Sequence, residues 1–282
     1  MRCAWQAYLN LLPFWMRKDV DRLGSETLQE LRLRLGLVPE LICANGSKCV
    51  GQPVSADDLK YCINAASGYS PWSAKTVSHG FITALGGHRL GICGTATVPD
   101  GNMSGIGNVT SLCIRVARDF PGIAQSLSNV NGSVLIIGRP GGGKTTLLRD
   151  LIRVKSDTED GSIGVADERG ELFPMWQGNI CFSAGKRTDI LSGCPKAQAI
   201  DALLRCMSPN TIAVDEITAE DDCAALLRAG WCGVKLYATA HASNKQDLYT
   251  RKVYKPLMEN NLFDTLIILQ PDKTWQAERI QQ

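Results

Sequence analysis

Eight residues of this chain have the types and spacing of a phosphate-binding loop. They read Gly-Arg-Pro-Gly-Gly-Gly-Lys-Thr and occupy positions 138–145. In the pattern G-x-x-x-x-G-K-[ST], the glycines let backbone N–H groups approach phosphate oxygens, the lysine adds positive charge, and the hydroxyl can bind Mg²⁺. An apolar run precedes the loop and a helical pattern follows it, so the helix dipole also favours an anion. The pattern predicts a nucleoside triphosphate site with Mg²⁺.

The whole loop and the residue after it are expected to contact the nucleotide. Lys144 should reach the β and γ phosphates, and Thr145 should bind Mg²⁺. Arg139 belongs to the loop, but we expect no catalytic role for it. The predicted nucleotide-binding residues are Gly138, Arg139, Pro140, Gly141, Gly142, Gly143, Lys144, Thr145 and Thr146.

Two adjacent acids follow a second apolar run. The residues 211–214 read Thr-Ile-Ala-Val and lead directly into Asp215 and Glu216. A buried strand that ends here can bring Asp215 to the Mg²⁺, while Glu216 can act as a base or hold an attacking water in line with the γ-phosphate. The pair therefore favours hydrolysis over binding alone.

Further polar residues follow two other predicted strands. Asp167, Glu168 and Glu171 come after an apolar run, and His241 follows another. Ligands of open parallel sheets bind at the carboxyl ends of the strands. We expect the acids to position water or metal, with a solvated charged loop as the alternative. His241 should lie near the γ-phosphate, with a purely structural role as the alternative.

Alternating strand and helix patterns should position these groups. Strands are predicted near 133–137, 162–166, 211–215, 234–239 and 264–269, with helices from 144 and near 196–206, 220–229 and 245–259. The alternation predicts an α/β domain with a mainly parallel sheet over 133–282. Residues 1–120 mix shorter patterns, including a helix capped by Ser55, and predict a smaller α+β domain. Residues 121–132 are predicted to be a linker.

Bulk composition excludes several classes of protein. The net charge of +2 shows no electrostatic signature of a dedicated nucleic-acid binder. The 11 cysteines are scattered without a C-x-x-C pair, which argues against zinc and against a disulfide framework, and favours a reducing cytoplasm. No apolar run reaches the length of about 18 residues that a membrane-spanning helix needs.

Taken together, the motifs resemble the ATPases of type II and type IV secretion systems, and within them the family of the stage III sporulation protein AA. The resemblance extends over nearly the whole chain. The segments that carry it are 30–34, 87–91, 111–118, 138–146, 167–171, 186–191, 207–209, 215–217 and 239–241.

The resemblance implies a RecA-like P-loop domain that hydrolyses ATP within a ring, expected to be a hexamer, with the nucleotide between the two domains or between neighbouring subunits. Asp167, Glu168 and Glu171 would form the acidic box of the family, and His241 its histidine box. The first domain would supply arginine fingers, with ordinary ion pairing as the alternative. The candidates are Arg89, Arg115 and Arg118.

The resemblance also implies a cytoplasmic protein at the inner face of a membrane, on the mother-cell side of the septum, that energises a channel of integral membrane proteins. Nucleic acid is not an expected partner. A nucleic-acid-directed RecA-like ATPase remains an alternative, although little sequence follows the last predicted strand to form such a module. An ABC-type ATPase subunit is the weaker alternative, because Cys194 and Pro195 stand where its signature helix needs backbone N–H donors.

Overall fold

Each of the two compact units of this chain is built on its own β-sheet. The computed structural model describes residues 1–69, 80–98 and 104–280. The first unit contains the chain up to Asp119 together with Pro174–Phe182, and the second contains Phe120–Phe173 and the chain from Ser183 onward. Within the described ranges, every helix is too short or too polar to traverse a lipid bilayer.

The first unit has a six-stranded antiparallel sheet with the strand order β3-β2-β1-β6-β5-β4. Its strands are β1 (Leu28–Arg34), β2 (Glu40–Cys43), β3 (Gly46–Cys49), β4 (Phe81–Thr83), β5 (Arg89–Thr97) and β6 (Gly105–Arg115). Its helices are α1 (Trp5–Asn10), α2 (Phe14–Asp21), α3 (Gly24–Thr27) and α4 (Ala56–Ser67). A two-stranded hairpin of β9 (Met175–Trp176) and β10 (Asn179–Ile180) completes it.

Local sequence explains the main elements of this unit. Leu31 and Leu33 of β1 are fully buried while the arginines between and after them lie on the other face, as strict alternation predicts. The predicted helix capped by Ser55 is confirmed, because Ser55 and Asp58 form a reciprocal capping box at the start of α4. The apolar start of the chain forms α1 and α2, which are separated at Pro13.

The second unit has a seven-stranded sheet with the order β11-β8-β12-β13-β7-β14-β15, parallel except for the antiparallel pair β14 and β15. Its strands are β7 (Val134–Ile137), β8 (Ile163–Asp167), β11 (Thr188–Ser192), β12 (Thr211–Val214), β13 (Lys235–Ala240), β14 (Thr265–Leu269) and β15 (Trp275–Arg279). Its helices are α5 (Lys144–Thr158), α6 (Lys196–Met207), α7 (Glu220–Trp231), α8 (Lys245–Thr250) and α9 (Lys255–Glu259).

The structure confirms the predicted α/β architecture and the five predicted strands of this unit, and it adds two strands. Both added strands, β11 and β15, lie at the edges of the sheet and carry polar residues. The single helix predicted over 245–259 is wrong, because α8 ends at Thr250 and α9 begins at Lys255. Pro256 explains the break, since proline inside a helix lacks an N–H donor and its ring clashes with the carbonyl four residues earlier.

One segment differs from the predicted domain division. Pro174–Phe182 was assigned with the rest of 133–282 to the second domain, but it packs within the first unit. The indole Nε1 of Trp176 donates to the carbonyl of Ala66 at the end of α4, at 3.2 Å. The chain therefore leaves the second unit after Phe173 and returns to it at Ser183.

The predicted linker 121–132 is part of the second unit and packs on α5. The backbone N–H of Ala124 donates to Asp150 Oδ2 at 2.8 Å. Lys155, which is fully buried, donates to the carbonyl of Ser128 at 3.0 Å, to the carbonyl of Val130, and to Glu159 Oε1 at 2.6 Å. The buried ammonium thus fixes this segment to the helix.

Replacing Lys155 by methionine should lower the free energy of unfolding by about 3 kcal/mol, because two backbone carbonyls and Glu159 would lose their buried donor. Urea denaturation measures the effect. Lys235→Met is the matched control, because Lys235 also pairs with Glu159, at 3.5 Å, but its side chain is 44% exposed. Its loss should stay below about 1 kcal/mol. Equal losses in the two variants would contradict the structural role of Lys155.

Candidate active site

The glycine-rich loop lies between β7, whose four residues are all buried, and α5, which begins at Lys144. Gly143 caps that helix with φ of 98°, a left-handed value that side chains disfavour. Gly138 packs closely against β14, because a Cβ at this position would lie 3.0 Å from Cβ of Leu269. The loop backbone therefore needs glycine at both ends.

Lys144 is buried under the loop that it follows. Its Nζ donates to the carbonyls of Gly138 and Arg139, each at 3.0 Å, and lies 3.1 Å from Nδ1 of His241. Because an ammonium can only donate, Nδ1 of His241 accepts this bond. Burial lowers the pKa of Lys144, and the negative charges of Glu216 and Asp215 oppose that shift.

Asp215 has both carboxylate oxygens held by hydroxyl groups. Thr145 Oγ1 donates to its Oδ2 at 2.7 Å, and Thr239 Oγ1 donates to its Oδ1 at 2.6 Å. Burial raises the pKa of Asp215, the two hydroxyl hydrogen bonds lower it, and the charges of Glu216 and Glu171 raise it. The structure thus brings together the two residues that the sequence analysis assigned to Mg²⁺.

Glu216 adopts a backbone conformation that is uncommon for a residue with a side chain. Its φ is 52°, and its backbone N–H donates to Thr239 Oγ1 at 2.8 Å. Its Oε1 lies 3.0 Å from His241 Nε2, and its Oε2 lies 3.9 Å from a guanidinium nitrogen of Arg169. Since Nδ1 of His241 accepts from Lys144, Nε2 carries the proton that it donates to Glu216. Strained residues of this kind concentrate at functional sites, where surrounding bonds maintain them.

Asp167 holds the loop that follows β8. Its Oδ1 accepts backbone N–H bonds from Glu171 at 2.9 Å and Leu172 at 3.3 Å, and its Oδ2 accepts one from Phe173 at 2.8 Å. The side chain is buried, which raises the pKa of Asp167 against the effect of these hydrogen bonds. Both of its oxygens are therefore used to fix the loop backbone.

Glu168 lies beside a buried lysine that sequence reasoning missed. Lys196 Nζ is 3.2 Å from Glu168 Oε2 and 3.5 Å from Asp222 Oδ2, and its side chain is only 6% exposed. A lysine in the first turn of a helix opposes the helix dipole, which is a signal that a partner is required. A small cavity opens beside these groups. It is lined by Ala166, Asp167, Glu168, Arg169, Glu171, Lys196, Asp215 and Glu216.

The three candidate arginines lie in the first unit, and each has partners there. Arg89 and Arg115 face each other across β5 and β6. The guanidinium carbon of Arg89 lies 3.8 Å from the ring centre of Phe81, and Arg115 Nε lies 3.4 Å from Glu30 Oε2. Arg118 donates to the carbonyls of Ser25, at 2.7 Å, and Leu28. Their assignment as arginine fingers stays a prediction.

Comparison with known proteins identifies the family. The model of the family described as "Sporulation stage III, protein AA" matches residues 6–280. The stage III sporulation protein AA of Bacillus subtilis (strain 168) is 34% identical over 272 residues, which cover 92% of this chain and 89% of that relative. The chain belongs to the stage III sporulation protein AA family. The family resemblance stated from the motifs is thereby confirmed.

Solved structures show the same fold for this family member. The Legionella pneumophila ATPase DotB is similar with a TM-score of 0.55 and 16% identity, covering 95% of this chain and 80% of the DotB chain. The pilus retraction motor PilT, solved with bound ADP, is similar with a TM-score of 0.63 and 13% identity, covering 96% of this chain and 84% of the PilT chain. At these identities the likeness concerns the fold alone.

Asp167→Asn should lower the free energy of unfolding by about 1–3 kcal/mol, because one carboxylate oxygen would become an NH₂ group that cannot accept a backbone N–H bond. Thermal and urea denaturation measure the loss. The control is Glu259→Gln, since the Glu259 side chain is 59% exposed and pairs with the exposed Lys255 at the surface. Its change should stay within about 1 kcal/mol. A larger loss in Glu259→Gln than in Asp167→Asn would contradict the assigned role of Asp167.

Proposed function

We propose that this chain hydrolyses ATP and that the hydrolysis drives a secretion-type motor in sporulation. One observation carries the proposal. Lys144, Thr145, Asp215, Glu216 and His241 meet at the carboxyl edge of the parallel sheet, joined by contacts of 2.7–3.1 Å. Membership of the sporulation family and the shared fold with two proteins described as an ATPase and a pilus retraction motor support it.

The proposed nucleotide site is a RecA-like P-loop. The loop from Gly138 to Thr145 would surround the phosphates with backbone N–H groups, and Lys144 would exchange its carbonyl partners for phosphate oxygens. Burial raises the pKa of Asp215 and the charges of Glu216 and Glu171 raise it further, so a cation beside this carboxylate would be stabilised. Thr145 and Asp215 offer the hydroxyl and carboxylate oxygens that suit Mg²⁺. Bound Mg²⁺ would neutralise charge that develops on the phosphates.

Glu216 is the proposed base for hydrolysis. It would orient a water toward the γ-phosphate and take its proton as the new P–O bond forms and the bond to ADP breaks. His241 donates to one oxygen of Glu216 at 3.0 Å, which leaves the second oxygen for the water. The exposed Arg169 lies 3.9 Å from that second oxygen and adds positive charge beside it.

The motor role rests on the family and on the fold. We propose that the chain acts as a hexameric ring, that its first domain contributes arginines to catalysis, and that it works with integral membrane proteins of a secretion-like channel. Its place would be the cytoplasmic face of a membrane, on the mother-cell side of the septum. The similarity to the Bacillus subtilis sporulation protein and the fold shared with the pilus retraction motor PilT motivate this assignment.

Lys144→Ala should weaken ATP binding at least tenfold, because the loop would lose its buried charge. Glu216→Gln should keep ATP binding and lower kcat by about 10²–10⁴-fold, the usual contribution of a general base. Calorimetric binding and phosphate release measure the two effects. Glu259→Gln, an exposed change in the same unit, is the control and should leave both unchanged. Full turnover by Glu216→Gln would remove the role assigned to that residue.

Arg115→Ala should lower kcat more than it lowers ATP affinity if Arg115 stabilises the charge of the transition state. The matched control is Arg32→Ala, because Arg32 pairs with the same Glu30, at 2.7 Å. Loss of that ion pair alone should leave kcat within about twofold, since exposed pairs contribute little. Steady-state kinetics of both variants decide the matter. Equal kcat values for the two variants would show that Arg115 serves only as the ion-pair partner of Glu30.

A further inference from the structure

Tyr254 connects the two residues that the proposed hydrolysis places beside the γ-phosphate. It lies immediately before α9, and its side chain is buried. Its hydroxyl accepts the backbone N–H of His241 at 3.2 Å and donates to the backbone carbonyl of Ile217 at 3.2 Å. Ile217 directly follows Glu216. One hydroxyl thus links the peptide groups next to both Glu216 and His241.

The two segments that Tyr254 joins are also linked to each other. The backbone N–H of Ile217 donates to the carbonyl of Thr239 at 2.9 Å, and the N–H of Glu216 donates to Thr239 Oγ1 at 2.8 Å. Those bonds come from β13 itself. Tyr254 adds a bond from a separate segment, so the left-handed turn at Glu216 is held from two directions.

A buried tyrosine hydroxyl needs a partner wherever it lies, and packing alone could account for one bond. Tyr254 uses both its donor and its acceptor, and both partners are backbone groups beside the candidate catalytic residues. Glu216 has φ of 52°, and such a conformation persists only where the surroundings over-determine it. These two observations favour a positioning role for Tyr254 over a role in core packing alone.

We propose that Tyr254 is a positioning residue for the hydrolysis, and that it keeps Glu216 and His241 at hydrogen-bonding distance. The inference rests on the proposed ATPase function. Tyr254 has no bond to Lys144 or Thr145 among its described hydrogen bonds. Loss of its hydroxyl should therefore lower the turnover rate and leave the affinity for ATP largely unchanged.

Tyr254→Phe tests this directly, because the ring keeps its packing while both hydrogen bonds are lost. We expect kcat to fall by about 10–100-fold, as for other groups that orient a reacting residue, with KM for ATP within about twofold. Tyr61→Phe is the control. The hydroxyl of Tyr61, in α4 of the first unit, accepts a hydrogen bond from Arg17 at 2.8 Å. That variant loses a tyrosine hydroxyl outside the candidate site and should keep kcat.

A double-mutant cycle with His241→Ala separates positioning from general destabilisation. If Tyr254 acts by keeping Glu216 beside the imidazole, Tyr254→Phe should have a smaller effect on kcat once the imidazole is absent. Equal effects in both backgrounds would overturn the inference. Wild-type turnover is measured first. Its absence would overturn the proposed function and this inference with it, whereas an active wild type with unchanged kcat in Tyr254→Phe would overturn the inference alone.

Discussion

Both carboxylate oxygens of Asp215 are held by hydroxyl groups, and the rest of the candidate site is arranged around that constraint. Thr145 donates from the helix that follows the glycine-rich loop, and Thr239 donates from β13. Because Asp215 directly follows β12, the two bonds join three neighbouring elements at one edge of the sheet. A shift of α5 relative to β12 would leave a carboxylate oxygen of Asp215 without its hydrogen-bond donor. Losing a donor at a buried position lowers the stability of the fold.

Acidic side chains surround Asp215 at the same edge. Burial raises the pKa of Asp215, its two hydroxyl hydrogen bonds lower it, and the charges of Glu216 and Glu171 raise it further. The nearby cations have other partners as well: Lys144 donates to two loop carbonyls, Lys196 lies between Glu168 and Asp222, and Arg169 lies 3.9 Å from Glu216 Oε2. In the proposed function, a cation beside Asp215 would offset the charge of the carboxylates and would also reduce their repulsion of a polyphosphate.

Features encoded by neighbouring residues could be predicted from the sequence, and features created by distant ones could not. The loop, five of the seven strands of the second sheet and the capped helix α4 depend on spacing within a few residues, and these were predicted. The segment Pro174–Phe182 packs with the unit formed by the chain up to Asp119, and Trp176 contacts Ala66 across 110 positions of the chain. No local pattern in that segment predicts the unit in which it packs.

The candidate site divides in the same way. Asp215, Glu216 and His241 follow predicted strands, so the topology of a parallel sheet was sufficient to bring them together. Thr239 and Tyr254 were missed as members of the site because their roles come from their hydrogen-bond partners. Thr239 bonds the side chain of Asp215 and the backbone of Glu216, and Tyr254 bonds two backbone groups. Tyr254 is 37 residues from Ile217 along the chain, and no periodicity relates them. Hydrogen bonds at such separations follow from the packing of α9, which the sequence analysis had merged into one longer helix.

Lys144 shows why the loop and the acids cannot be considered separately. Its ammonium has three protons, and its three described partners are the carbonyls of Gly138 and Arg139 and the imidazole of His241. A phosphate that binds Lys144 must therefore displace at least one group of this chain. Because His241 also donates to Glu216, displacing the imidazole would alter the surroundings of the acid that the proposed reaction needs. In the proposed reaction, phosphate binding and water activation would therefore both involve His241, and displacement of its imidazole from Lys144 would be felt at Glu216.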